Sequence, residues 1–162
     1  MTETIAKRAI TIKSSRSYRL AERIAKWMDR YYLDAVLGLL LEGVGDFLTQ
    51  LLTLPYIYVS AVKIRSLPLT LAVIYNALRD LAIGLIPFYV GDVLDVFNKS
   101  YIRNFKLIAG FVDGDRSVIS EVNRKAVRMG VLIVALCVLI YFLVLLTIKV
   151  TTWLWGLIAG LF

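Results

Sequence analysis

The feature that most restricts the fold is a run of twenty residues without a single charge, Met129 to Ile148. As a helix it measures about 30 Å, the hydrocarbon thickness of a bilayer. A lone segment in hydrocarbon has no water to bond its backbone, so it must be helical. Arg124, Lys125 and Arg128 directly precede the run and Lys149 follows it. The positive-inside tendency puts its N-terminal end in the cytoplasm. Val150 to Phe162 adds thirteen uncharged residues, too few for a second crossing, with Trp153, Trp155 and the spacing Gly156-Leu-Ile-Ala-Gly160. Gly-x-x-x-Gly lets helices approach closely and marks Gly156 and Gly160 as a self-association candidate, whereas tryptophans suit an interfacial tail over residues 150–162.

A second constraint is an internal duplication. Asp34 to Leu52 aligns without gaps on Asp80 to Asn98, 46 positions later, and seven of nineteen positions are identical, including Gly38/Gly84, Gly45/Gly91 and Asp46/Asp92. Repetition of a Gly-Asp pair is more than shared apolarity, and it defines two repeat units, residues 31–62 and 67–98. Each unit has an apolar limb, a break, and a second limb opening with Asp. The breaks contain Gly43 and Gly45 in the first unit, and Pro87 and Gly91 in the second. Glycine can end a helix and proline lacks the amide a continuing helix needs. Asp46 and Asp92 then stand where an N-cap belongs, able to accept from the exposed amides of the next limb.

Composition narrows the class further. The chain is 59% hydrophobic, with mean hydropathy +0.75, which is outside the range of soluble domains and reads as an integral membrane protein. It has no histidine, and its one cysteine, Cys137, lies inside the apolar run. These residue types argue against zinc sites and against Ser-His or Cys-His catalysis, so neither cofactor nor metal is expected. Residues 1–30 carry eight Lys/Arg against three acids, residues 31–98 three against six, and residues 99–128 seven against three. Basic blocks beside apolar segments favour anionic lipid headgroups, rather than nucleic acid, as the counter-charge.

Residues 1–17 are polar and weakly periodic, and read as a flexible cytoplasmic tail without a signal peptide. Residues 18–30 form a basic amphipathic helix, with Leu20, Ile24, Trp27/Met28 and Tyr31 on one side and Arg19, Arg23, Lys26 and Arg30 on the other. Such a helix can lie in the membrane interface or pack with its basic face solvated. Lys63 to Pro68 is a short basic turn between the units. Each unit is longer than one span and shorter than two, which suits two re-entrant hairpins, while a peripheral bundle accommodates the six acids of the middle segment at lower cost. Residues 99–128 form a basic cytoplasmic segment: a continuation of the second limb to about Gly110, a turn at Asp113-Gly114-Asp115, and a short basic helix. That turn lacks the further ligand positions of a calcium loop. The expected fold is all-α: two tandem broken-helix repeats followed by a transmembrane helix over residues 129–148.

The two copies read D-x-x-x-G-L-x-x-x-x-V-G-D and D-x-x-x-G-L-I-P-x-x-V-G-D, with Arg103-Asn104 shortly after the second. They resemble the bacterial and archaeal family known as domain of unknown function 4112, over about Ile24 to Ile108. Trp27-Met28-Asp29 resembles the family's leading segment, and Asn76 with Asp80 resembles its helix before the second Gly-Leu-Ile-Pro. The chain departs where Leu41 replaces the first copy's Pro, where no Pro-Gly lies between Arg30 and Leu33, and where Tyr101 replaces an Asn before Arg-Asn. The resemblance implies a small membrane-associated protein and brings no activity, substrate or cofactor.

The polar residues available for chemistry are Asp34, Glu42, Asp46, Asn76, Arg79, Asp80, Asp92, Asp95, Arg103 and Asn104. Asn76, Arg79 and Asp80 share one helix face. The simplest reading is a polar network of Asp34, Asn76, Arg79, Asp80, Asp95, Arg103 and Asn104 that holds helices together. A sharper reading is a path for cations or protons in a homo-oligomer, with Asp46 and Asp92 at broken-helix tips. Acid-base or metal-assisted work on a lipid is the least supported class, because no ligand spacing or activated nucleophile is present. The leading expectation is therefore a non-enzymatic structural or interaction component of a prokaryotic inner membrane, N-terminus in the cytoplasm.

Overall fold

A computed structural model describes the backbone of residues 2–31, 51–84 and 90–160, and the side chains of residues 6–27, 51–83 and 100–160. The described residues form helices and turns, with no strand among them: α1 Thr2–Lys13, α2 Arg16–Tyr31, α3 Leu54–Tyr58, a π-helix Val59–Ile64, α4 Leu67–Gly84, α5 Val90–Val112 and α6 Arg116–Ala159.

Residues expected to form a flexible tail instead form α1. Weak periodicity hid this helix because long-range contacts hold it: Ile12 is buried, the Arg8 guanidinium donates to the Ile64 carbonyl at 2.9 Å, and Lys13 pairs with Asp113. Ser15 then starts α2, its hydroxyl accepting from the Tyr18 amide at 3.3 Å.

The packed face of α2 takes in only part of the expected apolar side. Tyr18, Ala21, Ile24 and Ala25 are buried, whereas Leu20 and Trp27 are exposed beside the basic residues. Small residues explain the rotation. Ala21 and Ala25 let the neighbouring chain approach closely enough for the Tyr56 hydroxyl to donate to the Ala21 carbonyl at 2.9 Å. The Tyr56 ring in turn lies 5.9 Å from that of Tyr101 on α5, and burial pushes its phenol well above its ordinary pKa.

Pro55 occupies the first turn of α3, where its missing N–H leaves no bond unmade. The π-helix ends at Arg65, whose φ of 59° is left-handed, and the Ser66 amide closes back on the Ser60 carbonyl at 3.1 Å. Ser66 then caps α4, its carbonyl taking both the Thr70 amide and hydroxyl. The expected basic turn at Lys63 to Pro68 is thus a helix-to-helix junction.

Between α5 and α6 the chain reverses through Asp113-Gly114-Asp115. Gly114 adopts φ +75°, and the Asp115 carboxylate accepts from the Ser117 amide at 2.9 Å and the Val118 amide at 3.5 Å. The Asp-Gly-Asp turn is therefore a helix start. Its tightness depends on Gly110, where an added Cβ would sit 2.9 Å from a Val118 methyl.

The expected separate basic helix, apolar span and terminal tail form one helix, α6, 44 residues long. No proline interrupts residues 116–159 and the helix runs through Gly130 and Gly156, so the boundary drawn from charge is not a boundary of the backbone. Its first third packs on α4 and α5, with Val122 buried. No residue of its most apolar eighteen-residue window is fully buried, and this is the one helix among the described residues long and apolar enough to cross a membrane.

Leu69, Val73, Ile108 and Val122 join Tyr56, Val59 and Ala21 in one apolar core where α2, α3, α4, α5 and α6 meet. The limbs of the second repeat unit correspond to α4 and α5. Gly91 and Asp92 lie on α5 but outside the described side chains, and residues 85–89 before that helix lie outside the described residues. Gly45, Asp46 and Pro87 lie outside the described residues, as does Asp34.

Candidate functional site

Helices α4 and α5 are mostly apolar, yet each places two polar residues four apart on the face it presents to the other. Asn76 and Asp80 on α4 meet Asn104 and Ser100 on α5, and these four side chains are between 1% and 6% exposed. The Asn76 amide donates to the Asn104 side-chain oxygen at 2.7 Å. One turn along, the Ser100 hydroxyl bonds the Asp80 carboxylate. Four residues forward on α4 correspond to four backward on α5, so the helices are antiparallel and the two contacts are successive rungs of one seam.

The second rung is incompletely satisfied. Arg79 Nη2 lies 3.4 Å from Asp80 Oδ1, while Asp80 Oδ2 and Arg79 Nε are buried without hydrogen-bond partners among the described residues. Desolvation raises the Asp80 pKa above its ordinary range, opposed by the Ser100 bond and the Arg79 and Arg103 charges. A carboxyl so enclosed favours the neutral form more than a surface aspartate does.

Of the residues singled out as a polar network, Asn76, Arg79, Asp80, Arg103 and Asn104 come together at this seam. Asp95 lies on α5 but outside the described side chains. Gly156 and Gly160 sit at the end of α6, where an added Cβ on Gly156 would meet nothing within 4 Å and one on Gly160 only carbonyls of its own helix. Ser100 escaped the sequence reading. Its signal was the four-residue spacing to Asn104, which mirrors Asn76 and Asp80 and has meaning only once the two helices are paired. Among the described residues, no group of three or more His, Cys, Asp or Glu side chains could hold a metal ion.

A family model described as Domain of unknown function (DUF4112) matches residues 11–112, more than half of the chain. The chain belongs to this family. The DUF4112 match begins near the end of α1, contains both rungs of the seam and stops at the last residue of α5. Helix α6 lies wholly beyond it. No curated protein and no solved structure matches the chain.

Proposed function

We propose that this DUF4112 protein is a non-enzymatic structural or interaction component of a prokaryotic inner membrane, with α1 to α5 forming a helical bundle on the cytoplasmic side of a single anchor. The observation that carries the reading is the division of α6. Its first turns pack on the bundle and carry Arg124, Lys125 and Arg128, whereas Val131 and Val134 beyond them are each 66% exposed. So long an uncovered apolar surface is unfavourable in water and favourable in hydrocarbon. The cations at its start favour the cytoplasmic leaflet. Because α4 and α6 are both antiparallel to α5, α4 runs toward the apolar part of α6, which supports partial entry of the second repeat unit into that leaflet.

A cation or proton path is a second reading, favoured by Asp80 Oδ2, which is buried without a hydrogen-bond partner among the described residues. Flux in proteoliposomes separates the two. The component reading expects no dissipation of a potassium or proton gradient by the full chain. Dissipation that disappears in Asp46→Asn/Asp92→Asn or in Asp80→Asn, with the oligomeric state kept, would establish the path instead.

A further inference from the structure

Helices α4, α5 and α6 leave a cleft of about 490 Å³ between them, lined by Arg79, Arg103, Lys125 and Arg128 and, at the apolar end, by Met129 and Leu132. On α6 these residues share one face, because 125, 128, 129 and 132 are spaced by three, one and three. Cations are thus followed within a turn by apolar side chains at the point where the long uncharged run begins.

The cationic end is under-neutralised. Lys125 pairs with Glu121, the one acid among the described residues lining the cleft, and Arg79 makes a single long contact with Asp80. Among the described residues, Arg103 and Arg128 form no ion pair within 4 Å and the buried Arg79 Nε has no hydrogen-bond acceptor. Guanidinium groups match phosphate oxygens in geometry and charge. An occupant must therefore carry an anionic head for the arginines and an apolar body for Met129 and Leu132.

We infer that this cleft is a binding site for one anionic glycerophospholipid of the cytoplasmic leaflet, its phosphate held by Arg79, Arg103 and Arg128 and its acyl chains lying along α6 beyond Met129. The site rests on the membrane reading above. It also goes beyond diffuse attraction of basic segments to headgroups, because it names a single lipid and three residues.

The test is native mass spectrometry of the full chain released from detergent containing equal phosphatidylglycerol and phosphatidylcholine. The expected result is one retained phosphatidylglycerol, with occupancy reduced about tenfold or more in Arg103→Gln/Arg128→Gln, given about a fivefold effect for each cation. The control, Arg116→Gln/Arg124→Gln, removes two exposed charges from the same helix and should change occupancy less than about twofold. Helical circular dichroism qualifies each variant as folded, and Arg128→Gln alone serves if the double variant is not. Equal loss in the control, equal retention of both lipids, or thermal stabilisation by inorganic phosphate matching that by phosphatidylglycerol would each overturn the lipid site. Alkaline carbonate washing of the source membranes separates the two claims. A chain that stays in the pellet yet shows no lipid preference refutes only the cleft, whereas a chain washed into the supernatant refutes the membrane reading.

Discussion

The side chains of Asn76 and Asn104 close a 2.7 Å hydrogen bond between α4 and α5 in a part of the interface where Asn104 is 1% exposed. An amide pair so deeply buried fixes register, since sliding either helix by one turn would break it and set one of the two amides against buried Ala72 or Ile108. Asn104→Ala is expected to destabilise the protein by about 1–3 kcal/mol, because Asn76 keeps its desolvation cost and loses its partner. Replacing both with leucine should cost far less. Thermal unfolding in detergent compares them, and equal losses for the single and double variants would argue against the pair as the origin of the effect.

Asp80 gives a pH dependence with a definite sign. Its folded pKa is raised from 3.8, chiefly by desolvation, so the folded state holds the proton more tightly than the unfolded state. Its contribution is full below the unfolded pKa and is lost as pH rises through the folded pKa. Asp80→Asn should therefore gain stability relative to the wild type as pH rises from about 4 to 7. Parallel curves over that range would contradict the assignment.

The close approach at the α5–α6 turn predicts a rescue. With a Cβ on residue 110 only 2.9 Å from Val118 Cγ2, Gly110→Ala should cost about 1–2 kcal/mol through overpacking. Val118→Ala in the same chain should restore part of that loss, although each change alone destabilises. Chemical unfolding of the four-member cycle measures the coupling.

Much of this molecule is readable from local pattern. Twenty uncharged residues announced the apolar part of α6, and five residues of the polar network converge at the seam. What was not readable depends on partners distant in sequence. Helix α1 is held by Ile64 and Asp113, more than fifty residues away, so its own periodicity is weak. The inward face of α2 is decided by how closely Tyr56 can approach Ala21, and an apolar arc containing Leu20, Ile24 and Trp27 carries no mark of which members turn outward. The continuity of α6 was obscured because a change from charged to apolar residues leaves a mark in sequence without any break in the backbone.

The most direct test of the membrane reading is sidedness of labelling on single cysteines at Ser66, Ser117 and Thr152 in a Cys137→Ala background, using a membrane-impermeant maleimide on intact cells and inverted vesicles. The account predicts that Ser66 and Ser117 react only in inverted vesicles and Thr152 only from the outside, with α6 crossing between them. Reaction of all three positions from the cytoplasmic side would contradict it and leave α6 as a helix covered by another protein.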